Sequence, residues 1–292
     1  MASVINTYVK TITLTALALI AFAANSVLCR LALGSAAIDA ASFTTIRLLS
    51  GTIVLLIIIR CVGTNTATCS KGSWTASIML FIYAAAFSYA YISLDTGTGA
   101  LILFGSVQIT MLLLSVIIGA RLHPTEWIGA MIAFGGFVYL ILPGVSAPST
   151  LGFFLMSLAG IAWGIYTLKG SNSDSPLTDT TYNFLRTTPF VLLLALIGIG
   201  SMNVSSEGII LALMSGGITS GIGYTIWYIA LRDISSTQAA VLQLSVPIIA
   251  ALGGVVFVAE PVTMRLLISC ILVLGGILLV IMGKSIKTSA GT

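Results

Sequence analysis

Apolar runs of about 20 residues recur along nearly all of this 292-residue chain, and one such run crosses the hydrocarbon core of a bilayer as a single α-helix. Ten helices are predicted, over residues 11–33, 40–61, 74–94, 98–119, 125–142, 151–169, 181–200, 208–231, 236–258 and 262–282. The loops between them are short and leave no segment for a soluble domain. Inside lipid every backbone N–H and C=O must be paired within the span, so the expected fold class is an all-α integral membrane bundle. The polar stretch 171–179, with Pro176, is the one plausible linker between halves.

Composition agrees. Charged residues make up 7% of the chain and hydrophobic ones 58%, whereas a soluble domain carries roughly a quarter charged residues. The net charge of +4 comes from Lys and Arg scattered singly near the ends of apolar runs, a pattern that reports topology and not a nucleic-acid partner. Cys29, Cys61, Cys69 and Cys270 lack metal-ligand spacing, and only Cys61 and Cys69 can share a loop. Free thiols, no metal and no cofactor are expected. Lys10, the apolar run 11–20 and Ala21-Phe22-Ala23 have the outline of a cleavable signal peptide; the internal repeat below favours an uncleaved first helix.

Cationic side chains near helix ends stay preferentially on the cytoplasmic side. With the N-terminus inside, Lys10, Arg60, Lys71, Arg121, Lys169, Arg232, Lys284 and Lys287 fall inside, and only Arg30 and Arg265 outside. An even helix count returns the C-terminus to the cytoplasm. Arg47 and Arg186 remain within helices.

The halves also match each other. Arg30 and Arg47 are separated by the same interval as Lys169 and Arg186. Tyr91-Ile92-Ser93-Leu94 ends helix three as Tyr228-Ile229-Ala230-Leu231 ends helix eight, and Pro124 precedes helix five as Pro261 precedes helix ten. Five helices per half is an odd number, so the second copy enters the membrane from the opposite side, giving a five-plus-five inverted repeat. Residues 1–170 hold the first repeat, its helices over 11–142; the second runs over 151–283, and 284–292 form a cytoplasmic tail. Two copies related by an axis in the membrane plane can exchange conformations and open a shared site to each face in turn, which is the geometry of alternating-access transport. A duplication that only builds a stable bundle is the other reading.

The run Gly119-Ala120-Arg121-Leu122-His123-Pro124-Thr125-Glu126-Trp127-Ile128-Gly129-Ala130, followed by Gly135-Gly136, resembles the signature around helices four and five of the drug/metabolite transporter superfamily, with the EamA-type module the nearest fit. A second copy is carried by Pro247, by Ala259-Glu260-Pro261-Val262 and by Gly275-Gly276. The resemblance spans nearly the whole chain. It departs at Ala120, where an acidic residue is usual and Glu260 supplies it in the second half, and at Thr110, which stands opposite Pro247. Within the superfamily the chain looks like the YddG-type exporters of aromatic and other amino acids, which implies amino-acid export across the cell inner membrane.

Helix three carries Tyr83, Phe87 and Tyr91, and helix eight carries Tyr224, Trp227 and Tyr228, spacings that put each set on one face. The repeat pairs Phe87 with Tyr224 and Tyr91 with Tyr228, so these faces are expected to converge as the wall of a substrate cavity, joined by Trp163 of helix six. The competing reading is an interfacial aromatic belt or simple packing. Asn25, Gln108, Gln243, Ser245 and Gln238 are polar groups inside apolar runs; they are expected to face the bundle interior, where they either bind backbone-like groups of an amino acid or bridge helices. Arg47 and Arg186 lie about 10 Å from their helix starts at 1.5 Å per residue, near enough to snorkel; anchoring and a role in carboxylate binding or gating both stay open. Gly217, Gly221 and the glycine pairs at 135 and 275 are expected to allow close packing. Pro189 and Pro247 mark candidate hinges.

The eight acids fall in loops or at helix ends and the single His123 in a loop. Proton-driven pumps usually bury a titratable group at the midplane, so facilitated diffusion or exchange is expected. An intramembrane enzyme would need a buried nucleophile with a base or metal, which this sequence does not offer. A multidrug or other metabolite carrier and a passive pore are the remaining alternatives. Expected partners are a small-molecule substrate and the lipid bilayer, with no nucleic acid, and ten helices suffice for a working monomer.

Overall fold

The computed structural model describes residues 2–63, 70–117, 119, 124–142, 144, 147–170, 173–231, 233–234 and 242–290. Its helices are α1 (Ala2–Gly34), α2 (Ala40–Val62), α3 (Trp74–Ala90), α4 (Thr96–Ile117), α5 (Pro124–Ile141), α6 (Thr150–Gly170), α7 (Pro176–Gly198), α8 (Ser206–Ala230), α9 (Ser245–Val258) and α10 (Met264–Ala290). Eight are long and apolar enough to cross a membrane, and α3 and α9 are shorter apolar helices. Among the described residues the only β feature is the isolated bridge between Ile38 and Val204. Large apolar side chains such as Ile117, Leu151, Ile197, Val256 and Ile271 stay exposed on the outer surface, as expected of a multi-pass membrane protein whose solvent there is lipid.

Short polar residues set the helix starts. Asp39 caps α2 by accepting from the Ser42 N–H, Ser73 caps α3 through the Ala76 N–H, and Ser205 caps α8 through the Gly208 N–H. Gly63 ends α2 in the left-handed region at φ 67°, where only glycine is free of Cβ strain. The expected linker 171–179 is shorter than the sequence suggested. Pro176 opens α7 at its first turn, where its fixed φ suits a helix and its missing N–H would be unpaired anyway. At the other end α10 continues to Ala290, so part of the expected tail extends that helix. Cys69, Ala120, Arg121, Leu122, His123, Arg232, Gln238 and the start of the expected ninth helix lie outside the described residues.

The middle of α8 departs from α-helical geometry. Met214–Ile222 is π-helical between the α-helical pieces Ser206–Leu213 and Gly223–Ala230. Here α2 and α8 are in backbone contact: a Cβ at Gly216 would land on the Arg47 carbonyl oxygen and the Ser50 hydroxyl, and one at Gly51 on the Phe184 ring and the Gly216 carbonyl. Gly129 and Gly276 bring α5 and α10 together in the same way. In the two glycine pairs the work divides unevenly. Gly136 and Gly276 meet the facing helix, while Gly135 and Gly275 look into open space.

Helix partners follow a simple scheme. α1 packs on α8 and α9, α6 on α3 and α4, α2 on α7 and α8, α3 on α7, α4 on α9, and α5 on α10.

Candidate functional site

The two aromatic faces meet inside the bundle. The Trp163 ring of α6 lies 4.7 Å from Tyr83 of α3 and 4.9 Å from Tyr224 of α8, centroid to centroid. Phe87 stacks beside Tyr83 at 5.4 Å and against Tyr91 at 4.8 Å. Phe22 of α1 touches Tyr224 and Trp227 edge-on at 5.8 and 5.6 Å, and Phe184 of α7 reaches Tyr224 at 6.0 Å. All of these rings are buried, so each contributes its apolar area and about 0.5–1.5 kcal/mol per well-oriented pair. In this conformation the rings rest on one another.

Tyr91 is fully buried, its hydroxyl 3.2 Å from the Thr96 carbonyl, so it faces protein and not the headgroup belt. Tyr228 is half-buried with its hydroxyl beside Gly170. The structure also brings in Phe22 and Phe184, which sequence reasoning missed because neither belongs to a periodic aromatic stripe.

Arg47 does not snorkel. It is 1% exposed, its guanidinium turned inward against Tyr83, Phe87 and Ser220. Its Nη2 donates to the Tyr83 hydroxyl at 3.0 Å and its Nε to the Ser220 hydroxyl at 3.4 Å. The guanidinium carbon stands 5.2 Å and 5.0 Å from the Tyr83 and Phe87 ring centroids, within cation–π range. Nη1 has no hydrogen-bond partner among the described residues. Arg186, its repeat counterpart, is half-buried in the middle of α7 beside the start of α3, where Nη1 donates to the Lys71 carbonyl and the guanidinium lies 5.7 Å from the Trp74 ring.

The other polar candidates separate. The Asn25 amide oxygen accepts from Ser215 at 2.6 Å and Thr219 at 3.1 Å, tying α1 to the π-helical segment. Gln108 is half-buried and Gln243 buried, and the Ser245 hydroxyl turns back to the Leu242 carbonyl at 2.7 Å. Pro189 lies within α7 on its exposed side. Pro247 is the third residue of α9, which helical residues 242–243 precede across the turn at Leu244, and its missing N–H cannot bond the Gln243 carbonyl four residues back.

One end of the bundle is closed by charge. Arg30 Nε donates to Glu260 Oε1 at 2.9 Å, its Nη1 to the Tyr91 carbonyl at 3.2 Å, and its Nη2 faces Asp95 at 3.5 Å. Glu260 Oε2 also accepts from the Thr96 N–H at 2.8 Å. Burial, reinforced by the nearby Glu260 and opposed by Arg30, holds the Asp95 carboxyl above the ordinary carboxylate range. At the opposite end is a polar cleft of about 280 Å³ lined by Gly72, Ser73, Lys169, Asp179, Asn183 and neighbours. Asp179 accepts there from the Gly72 N–H at 2.6 Å. Beside it an apolar groove of about 350 Å³ is bordered by Ile58, Leu177 and Tyr228. Among the described residues no group of His, Cys, Asp and Glu is arranged to hold a metal ion.

Comparison with known proteins adds kinship to this geometry. The EamA-like transporter family matches residues 150–282, the half that keeps Glu260 and Pro247. The chain is 46% identical over 284 residues to an uncharacterized protein of Pseudomonas aeruginosa, covering 96% of this chain and 99% of that one. It is 27% identical over 176 residues to an uncharacterized transporter of Archaeoglobus fulgidus, 57% of this chain and 61% of that one. A solved crystal structure shares the fold, with a TM-score of 0.60 at 21% identity over 91% of this chain and 97% of that one.

Proposed function

We propose that this chain, which belongs to the EamA-like transporter family of the drug/metabolite transporter superfamily and is a multi-pass membrane transporter, exports small organic metabolites, amino acids including aromatic ones foremost. The observation that carries this reading is the meeting of Tyr83 and Phe87 from the first half with Trp163 and Tyr224 from the second in one buried cluster. The family is one of transporters and not of enzymes.

Alternating access between inverted five-helix repeats is the proposed mechanism. If each helix of the first half is exchanged with its counterpart five places on, the main packing pairs map onto one another, while the smaller α4–α10 and α1–α4 contacts have no counterpart of similar size. The contacts of α1 with α8 and α9 become those of α6 with α3 and α4, and α2 with α7, α4 with α9 and α5 with α10 exchange within their own pairs. That self-consistency supports ten membrane-spanning helices related by a pseudo-two-fold axis. The end closed by Arg30 and Glu260 would be the outer one and the polar cleft the inner one, with both termini cytoplasmic and the chain in the cell inner membrane. Movement is facilitated or exchange-driven, by a monomer, with lipid and a small solute as its partners and no nucleic acid.

The test is reconstitution in liposomes with a radiolabelled panel of Phe, Trp, Met, Thr and Lys, with and without a pH gradient or internal amino acid. Saturable uptake weakened by Trp227→Ala is expected. Flux that never saturates would replace the carrier with a pore, and no amino-acid signal from folded protein would move the cargo to drugs or other metabolites.

A further inference from the structure

From the unpartnered Nη1 of Arg47, we infer that the cargo site holds a carboxylate, so that the preferred solute is an aromatic or apolar acid, either a zwitterionic amino acid or a plain monoanion. This inference rests on the reading that the aromatic cluster is the cargo site.

The argument starts from an imbalance. Arg47 is 1% exposed within a membrane-spanning helix, and both ion pairs among the described residues belong to Arg30. Arg47 therefore carries its charge without a carboxylate within 4.0 Å among those residues. Its donors meet two neutral hydroxyls, those of Tyr83 and Ser220, and the faces of two rings. A guanidinium never loses its proton in a protein, so the charge cannot be shed by titration. A buried cation in hydrocarbon is costly and marks a functional site unless it is paired.

What is missing is one hydrogen-bond acceptor with a negative charge at Nη1. A carboxylate supplies both, and the planar guanidinium suits it. The rest of the setting describes the remainder of the solute: Tyr83, Phe87, Trp163 and Tyr224 surround the guanidinium or its ring partners, an apolar wall suited to an aromatic side chain. Ala76 borders the polar cleft, and Tyr83 lies two helical turns further on, about 10 Å at 1.5 Å per residue.

The experiment uses the full chain in detergent and in liposomes. Four probes share one phenylpropanoyl skeleton and differ in the α-amino group and in carboxylate against carboxamide: phenylalanine, phenylalaninamide, 3-phenylpropionate and 3-phenylpropionamide. Binding is read from the shift in melting temperature and from competition against radiolabelled phenylalanine. In the wild-type chain each acid is expected to bind at least about tenfold more tightly than its amide, one charge-assisted hydrogen bond's worth of preference. Arg47→Gln is expected to abolish that preference, Arg47→Lys to keep part of it, and Trp163→Ala to weaken acid and amide alike. Phenylalanine and 3-phenylpropionate decide between zwitterion and monoanion. Amides bound as tightly as acids by the wild-type chain would overturn the inference without any variant. So would an acid preference that survives in a folded Arg47→Gln chain while Trp163→Ala still weakens binding. If Trp163→Ala leaves every probe unaffected, the cargo-site reading itself fails, and this inference with it. Arg47→Met serves as the structural control: it is expected to melt no lower than the wild-type chain, and a markedly lower melting temperature would assign Arg47 to holding the bundle together.

Discussion

Arg30 and Glu260 lie 230 residues apart in the chain and meet through Nε and Oε1 at 2.9 Å, with side chains only 19% and 10% exposed. Through this contact the end of α1 is tied to the turn between α9 and α10, and the second Glu260 oxygen ties in the start of α4.

Loosening that tie opens the end it closes. A hydrogen bond to a charged group contributes about 1.5–3 kcal/mol, so Glu260→Gln is expected to raise opening there by roughly tenfold or more. Cys29, fully buried and next to Arg30 in sequence, is a native probe once Cys61, Cys69 and Cys270 are replaced by serine. Its alkylation rate is the measurement, and Glu207→Gln on the exposed start of α8 is the control. Equal rates in the two variants would show that the ion pair does not gate this end.

Glycines in this bundle differ by what faces them. Gly216→Ala pushes a methyl into the Arg47 carbonyl and the Ser50 hydroxyl and is expected to cost about 1–3 kcal/mol or more. Gly135→Ala enters open space and is expected to stabilise its helix by about 0.5–1 kcal/mol. Melting temperatures in one detergent compare them directly, and equal losses would contradict the close approach of α2 and α8.

Asp39 gives a pH signature. Burial pushes its carboxyl up, but hydrogen bonds from the Ser42 and Asn203 N–H groups outweigh it and hold the pKa below the ordinary 3.8. A depressed carboxylate pKa contributes stability that is present above 3.8 and lost as pH falls through the folded value. Asp39→Ala is therefore expected to lower stability by about 1 kcal/mol at neutral pH through loss of the α2 cap, with the gap to the wild-type chain narrowing in acid. Melting curves from pH 7 to pH 3 test this; a gap that widens in acid would reverse the sign of the argument.

Tyr83 and Tyr224 carry facing hydroxyls 3.4 Å apart, but only that of Tyr83 accepts from Arg47, at 3.0 Å. Tyr83→Phe leaves a second guanidinium donor without its acceptor and is expected to cost about 1–3 kcal/mol. Tyr224→Phe removes the 3.4 Å contact to Tyr83 and one to Ser220, neither of them to the guanidinium, and should cost less. The order of the two melting temperatures is the test.

Much of this was legible in the chain because lipid imposes one rule on every span. Apolar run length placed α2, α4, α5 and α6 within two residues of their observed ends, and the spacing of Tyr83, Phe87, Tyr224 and Trp227 foretold which faces would meet. The misses have physical causes. Distance from a helix start left surface anchoring and an inward role both open for Arg47, and only its contacts with the distant Tyr83, Phe87 and Ser220 show that it turns inward. The grouping of Arg30, Asp95 and Glu260 needs three chain segments to converge. Nothing local in Met214–Ile222 distinguishes a π-helix from the glycine-rich helix that the same residues suggest.

That stretch sets a rule for length changes along α8. A π-turn holds more residues than an α-turn, through i→i+5 bonding in place of i→i+4. Removing one residue within Met214–Ile222 lets the backbone re-pair as ordinary α-helix, whereas the same excision in α5, α-helical throughout, puts every later side chain on the wrong face. α8 thus carries a spare register position at its centre, which can absorb such a change while Tyr224 and Trp227 keep the faces that meet Tyr83 and Phe22.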